Sequence, residues 1–274
     1  MTALKITDPY VHGYSDSESR RLGDQADTLA ELLHSGTAYP AGSRVLEVGC
    51  GVGAQTVHLV ESSPGARIVA VDVAEASLAR ARASVTARHP DALVSWHRAD
   101  LRELPFADAT FDHLFVCFVL EHLAAPSVAL SGLRRLLRPG GSITVIEGDH
   151  GSAFFHPDSA DARAVIDCQV RLQRADGGNA LIGRELYPLL ESAGYQRVRV
   201  RPRTVYADAG RPELVEGFTR NTFIAMIESV RERALAENLT DSETWARGVA
   251  DLHRTTDPTG TFHYTFTKAH AHAP

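Results

Sequence analysis

Four carboxylates stand at or just past the ends of short apolar runs: Glu47, Asp72, Asp100 and Glu147. The first precedes Gly49-Cys50-Gly51-Val52-Gly53-Ala54, a run in which side chains are missing where a ligand must come close to the backbone. Strand, glycine turn and helix start follow one another here. Gly49, Gly51 and Ala54 also satisfy the G-x-G-x-x-G/A spacing of dinucleotide binders, so charge must separate the readings. A pyrophosphate favours bare N–H groups and a helix N-terminus and is repelled by an acid such as Glu47. A ligand carrying an ammonium and a sulfonium tolerates that acid, which points to S-adenosylmethionine (SAM).

The elements that must hold these residues can be read in order. Asp16 to about His34 is predicted as a helix behind a capping box, Ser15-Asp16-Ser17-Glu18, with Leu22, Ala26, Leu29 and Leu33 as its apolar stripe. Strands are expected at 44–48, 67–72, 93–98, from 111 through the apolar run ending near Leu120, and at 142–147, with helices at 73–88 and 127–137. Alternation of this kind implies a parallel, doubly wound sheet whose ligands lie at the carboxyl ends of the strands, where the four acids fall. Asp72 stands about 20 residues beyond the glycines, the spacing at which a carboxylate meets ribose hydroxyls.

The second half carries less signal. The stretch from Glu147 through Gly148-Asp149-His150-Gly151 to Asp158 follows the fifth strand and is expected at the catalytic edge, its glycines allowing close approach. Asp149, His150, His156 and Asp158 could be read as metal ligands, but methyl transfer from a sulfonium needs no metal. Helices are expected at 161–174, 184–192, 212–239 and 242–253, and strands at 198–203 and 260–268. Phe218, Phe223 and Met226 together with Phe262, Tyr264 and Phe266 are expected chiefly as core of a helical lid. The tail Ala269-His270-Ala271-His272-Ala273-Pro274 is expected to fray.

Composition limits the partners. The 274 residues carry a net charge of -6, and only Lys5 and Lys268 are lysines, which argues against nucleic acid or an anionic membrane as partner. No apolar run approaches the ~18 residues of a membrane span. The start lacks a signal-peptide core, and Cys50, Cys117 and Cys168 are odd in number, so the expected setting is the reducing cytoplasm. Monomer and homodimer both remain open.

Leu46-Glu47-Val48-Gly49-Cys50-Gly51, then Asp72, then Ala99-Asp100-Leu101 with Leu104-Pro105-Phe106, then Leu137-Arg138-Pro139-Gly140-Gly141, resembles the ordered motif set of class I SAM-dependent methyltransferases. The resemblance implies a Rossmann-like, seven-stranded, mostly parallel α/β sheet with an N-terminal helix and a helical lid insertion. It divides the chain into a cap helix (1–40), a SAM-binding core (41–150) and a second half (151–274) with the lid at about 207–256. It implies that Tyr14, Glu47, Gly49, Gly51, Gln55, Asp72, Val73, Ser77, Asp100, Leu101, Cys117 and Phe118 hold SAM, and afterwards S-adenosylhomocysteine. Asp72 would take the ribose hydroxyls, Asp100 and Leu101 would frame the adenine, and Cys117–Phe118 would offer backbone to the ammonium.

The chain also resembles bacterial small-molecule C-methyltransferases, among them the indole C3-methyltransferases of physostigmine-type alkaloid pathways. That likeness implies a small aromatic acceptor methylated on carbon, while O- or N-methylation, quinone-ring methylation and SAM binding without catalysis stay open. Tyr14 and Glu18 could relay a ring N–H proton, and His122 or His150 are alternative bases.

Overall fold

The computed structural model describes the chain from residue 16, with side chains from Arg21 onward. The capping box and Tyr14 therefore lie outside the described residues, as does the side chain of Glu18. The first strand, β1 (Arg44–Val48), leads through the glycine turn into α2 (Ala54–Ser62). β2 (Arg67–Asp72), α3 (Glu75–Arg88), β3 (Val94–Arg98), β4 (Phe111–Cys117), α4 (Pro126–Arg134) and β5 (Leu137–His156) complete the parallel part. α5 (Ala160–Ala175), α6 (Leu186–Ser192), β6 (Gln196–Ala207) and β7 (Thr261–His272) follow, with a helical stretch between the last two strands. The strand order is β3-β2-β1-β4-β5-β7-β6, and β7 runs antiparallel to both neighbours. This is the Rossmann-like class I methyltransferase sheet.

The order follows from the residues. β1, β2 and β4 are apolar runs buried on both faces, as parallel strands between helix layers must be. Successive side chains feed two cores: Val45 and Phe115 pack toward Leu29 and Leu33 of α1 (Asp16–His34), while Leu46 and Leu114 pack toward Leu130 and Leu133 of α4. Ser159 caps α5 by accepting from the Ala162 N–H at 3.0 Å, and Asp241 caps α10 (Ser242–Arg254) through the Glu243 and Thr244 N–H groups. The Lys268 ammonium donates to the carbonyls of Leu33 (2.9 Å) and Ser35 (3.0 Å), fastening the end of α1 to β7.

Three expectations are corrected. The fifth strand does not end at Glu147: β5 runs on past an irregularity after Asp149, and Phe154–His156 pair with Thr261–His263. The expected helix 212–239 is instead α7 (Pro212–Leu214), a π-helical segment Val215–Ile224, α8 (Ala225–Ser229) and α9 (Arg231–Ala236). Hydroxyls follow the wider winding, Thr222 donating to the Gly217 carbonyl five residues back at 2.8 Å. Finally, the tail does not fray. Ala269 and Ala271 are fully buried between β5 and β6, with His270 and His272 on the other face. The Ala-His alternation is a strand with a small-residue core face.

Ala271→Asp would bury an unpaired carboxylate in that strand and should destabilise the protein by about 3 kcal/mol or more. A fall of roughly 6–12 °C in melting temperature is expected in a thermal scan. An unchanged transition would return the tail to a frayed end.

Candidate functional site

The carboxyl ends of β1, β2, β4 and β5 open into one cavity of about 540 Å³. Its polar end begins at the glycine turn. Gly53 has a φ of +81°, and a Cβ there would meet the Ala81 Cα of α3 at 2.8 Å, so the turn can sit against α3 only with glycine. The Asp72 carboxylate accepts the N–H of Gly51 and of Ala74, each at 2.9 Å, tying the turn to the start of α3. Burial pushes the Asp72 carboxyl above its ordinary range while these backbone bonds oppose the shift.

Most of the sequence-derived SAM residues meet at this end. Gly49, Gly51, Gln55, Asp72, Val73, Ser77, Asp100, Leu101, Cys117 and Phe118 all line the cavity. Gln55 accepts or donates at 2.8 Å to His34 Nε2, so α1 fixes its amide. Asp100 is engaged with its own neighbour, pairing with the Arg102 guanidinium at 2.6 Å and accepting the Arg102 N–H at 2.9 Å. The guanidinium beside it holds the Asp100 carboxyl below the usual carboxylate range.

Two acids expected at the edge lie beneath it instead. Glu47 is buried in β1 and does not line the cavity, because β1 sits in the middle of the sheet with its carboxyl end roofed by the glycine turn. Burial, with the charge of Asp72 nearby, raises the Glu47 carboxyl from 4.5 to about 7. Glu147 is likewise fully buried, and its Oε1 accepts the N–H groups of Val119 (3.0 Å) and Leu120 (2.7 Å). It shapes the segment after β4, where Phe118 adopts a left-handed φ of +57°. Burial, then the charge of Glu121, pushes the Glu147 carboxyl well up.

The other end of the cavity is aromatic. Phe118, Phe218, Phe223, Met226, Tyr264 and Phe266 form its wall, so the residues expected as lid core also line the site. Their rings pack on one another, Phe223 on Tyr264 at 5.6 Å and Tyr264 on Phe266 at 4.8 Å between centroids. The strand alternation Phe262, Tyr264, Phe266 carried this signal; the π-helical placement of Phe218 and Phe223 did not show in the sequence. Polar groups interrupt the wall at Glu121, His122 and His150. Glu121 accepts from Gln173 at 3.1 Å, and His122 Nε2 stands 3.7 Å from the Glu121 carboxylate. His150 Nδ1 lies 2.7 Å from the Tyr264 hydroxyl.

Both carboxylates among the four possible metal ligands are engaged by arginines. Asp149 takes a two-pronged bond from Arg184 at 2.7 and 2.8 Å, and Asp158 pairs with Arg163. Among the described residues no helix is long and apolar enough to cross a membrane.

The glycine turn, the half-buried Asp72 and the largely aromatic continuation fit an adenosyl sulfonium better than a dinucleotide, whose second nucleotide would meet the aromatic wall. Comparison with known proteins agrees. Residues 46–145 match the family model described as "Methyltransferase domain". An uncharacterised 37.1 kDa protein of transposon Tn4556 from Streptomyces fradiae is 35% identical over 208 residues, 73% of this chain and 57% of its own length. The ubiquinone/menaquinone biosynthesis C-methyltransferase UbiE of Paracoccus denitrificans is 33% identical, over 50% of this chain and 58% of its own. Phosphoethanolamine N-methyltransferase 2 of Haemonchus contortus, solved with S-adenosylhomocysteine, superposes with a TM-score of 0.59 at 18% identity, covering 99% of this chain and 60% of that one. The chain thus spans little more than half the length of the curated relatives it matches.

The buried Glu47 makes a pH-dependent prediction. Its raised carboxyl stabilises the fold fully below about pH 4.5, and that contribution is lost as pH rises toward 7. In Glu47→Gln the unfolding free energy should therefore decline less between those limits, by on the order of 2–3 kcal/mol at about 1.4 kcal/mol per pKa unit. His34, which burial lowers to about 4, acts in the opposite sense in both proteins and cancels in the difference. Denaturant titrations across pH test this; parallel curves would contradict it.

Residues 46–145 are a methyltransferase domain with S-adenosylmethionine as its cofactor, built on the Rossmann-like class I fold.

Proposed function

We propose that the chain transfers the methyl group of SAM to a small aromatic acceptor, with carbon C3 of an indole as the reacting atom. One observation carries the reading: the glycine turn with Asp72 and the wall of Phe118, Phe218, Phe223, Tyr264 and Phe266 belong to one continuous cavity. A donor seated at the first end directs its reactive group toward the second.

When bound, SAM supplies a methyl already activated by the sulfonium. The chain has to align the acceptor with the S–CH₃ bond and exclude water. Alignment alone can contribute ~7–11 kcal/mol. Asp72 would receive the ribose hydroxyls and the backbone at Cys117–Phe118 the ammonium, with Glu147 beneath fixing that backbone. The stretch between β6 and β7, with α1 packed on it where Gly217 meets Thr28, would act as the lid. Tyr14 and Glu18 are the proposed relay for the ring N–H proton, with His122 as an alternative base.

A second reading, methylation of a quinone-derived ring carbon, draws on the likeness to UbiE, whose name is that of a C-methyltransferase of ubiquinone and menaquinone biosynthesis. Both readings are tested by incubating the protein with methyl-labelled SAM and a panel of indoles, phenols and quinols, and identifying the product by mass spectrometry and NMR. A C3-methylated indole is expected, with Tyr14→Phe and Glu18→Gln each lowering turnover by roughly 10²-fold and leaving S-adenosylhomocysteine affinity nearly intact. Preference for a quinol would select the second reading. Labelled acceptor from none of the panel, with S-adenosylhomocysteine still bound, would overturn both.

A further inference from the structure

His150 is a cavity-lining imidazole whose inner nitrogen is held by a phenol. It is buried on β5, and its backbone N–H donates to the Ala180 carbonyl at 3.0 Å, so the residue is fixed at both ends. Nδ1 lies 2.7 Å from the Tyr264 hydroxyl, a short bond in which one partner donates and the other accepts.

The direction of that bond decides what the other nitrogen can do. Tyr264 is 2% exposed, and no carbonyl or carboxylate among the described residues is recorded as accepting its hydroxyl proton. Were Nδ1–H the donor, that proton would be left buried without an acceptor, at a cost of about 1–3 kcal/mol. The phenol therefore donates to Nδ1. Burial acts in the same sense on both groups, keeping Tyr264 a neutral phenol and His150 a neutral imidazole. The phenol oxygen abuts Gly148: a Cβ there would fall 2.4 Å from it, and only glycine leaves the phenol its place.

A neutral imidazole whose Nδ1 accepts carries its proton on Nε2. Nε2 has no hydrogen-bond partner among the described residues, and His150 lines the aromatic end of the cavity beside Phe223, whose ring lies 6.0 Å away. Glu121, Asp149, Arg21 and His122 supply the charges around it, two of each tendency, so the surroundings do not favour a bound ion in its place.

We propose that His150, held by Tyr264, presents an Nε2–H donor to the methyl acceptor, and that the acceptor therefore carries an oxygen which accepts a hydrogen bond: a carbonyl, amide or ring oxygen. This rests on the reading of the cavity as an acceptor site and narrows its substrate class. It gives His150 a specificity role as a donor and removes it from the candidate bases, since a nitrogen that holds a proton cannot take one.

The tautomer can be read directly in the wild-type protein by long-range ¹H–¹⁵N NMR, with the His150 signals assigned by their loss in His150→Gln. A neutral Nε2–H form that persists from pH 6 to 9 is expected; an Nδ1–H form, or an imidazolium in that range, would overturn the proposal. The kinetic arm compares pairs of acceptors that differ only in replacing the oxygen by a methylene or methyl group. Wild type should favour the oxygen-bearing member by roughly 3–10-fold in kcat/KM, the value of one neutral hydrogen bond. His150→Phe should abolish the preference, and Tyr264→Phe, which frees the tautomer, should reduce it and introduce a pH dependence. Equal preference in wild type and variants would refute it. Calorimetry with S-adenosylhomocysteine on each protein separates the two levels: bound product with transfer to no acceptor defeats the acceptor-site reading, whereas transfer without oxygen preference defeats only the role of His150.

Discussion

Carboxylates gripping backbone N–H groups hold the site in shape. Glu147 takes the amides of Val119 and Leu120, and Asp72 takes those of Gly51 and Ala74. Asp72 ends β2 and fastens both the turn after β1 and the start of α3, while Glu147, inside β5, fastens the segment after β4. A carboxylate that loses its water on burial gains most by accepting such bonds, and the loop amides, unpaired at strand ends, gain equally. Gly51, Ala74 and Val119, which these bonds hold, all line one cavity. Together they hold the glycine turn against α3 and keep Phe118 in its left-handed conformation.

Two kinds of surface meet above them. On one side are backbone amides, small residues and Asp72, suited to a polar, positively charged adenosyl group. On the other are rings from three separate elements: Phe118 after β4, Phe218 and Phe223 on the π-helical segment, and Tyr264 and Phe266 on β7. The π winding matters because it brings Phe218, Thr222 and Phe223 to the cavity from a stretch that also buries against α1. Buried polar atoms are few in this wall, so the imidazole of His150 and the carboxylate of Glu121 stand out as the groups able to choose among acceptors.

The sheet and the SAM end were legible in the sequence because their signals are local. Apolar runs ending near an acid or a glycine turn place β1 to β4 to within about three residues, while β5 extends beyond its expected span at both ends, and the spacing from Gly49 to Asp72 is set by one helix length. Glu47 and Glu147 were visible as acids, yet their depth was not: burial depends on which strands lie beside them, and pairing between Glu147 and the amides of Val119 and Leu120 spans 28 and 27 residues. The partnership of Asp100 with Arg102 was local and could have been seen. The tail misled because Ala and His are weak strand formers; the burial of Ala269 and Ala271 is decided by β5 and β6 on either side. The π-helical segment was hidden for a different reason, since its residues have ordinary helical preferences and only packing against α1 and β7 selects the wider turn.

The shape of the cofactor end depends above all on the buried grip of Glu147. Calorimetric titration of S-adenosylhomocysteine into wild type, Glu147→Gln and Glu147→Ala measures this directly. Affinity close to wild type in Glu147→Gln, whose amide oxygen can still accept, and at least tenfold weaker binding in a folded Glu147→Ala are expected. Equal affinity in all three proteins would contradict it.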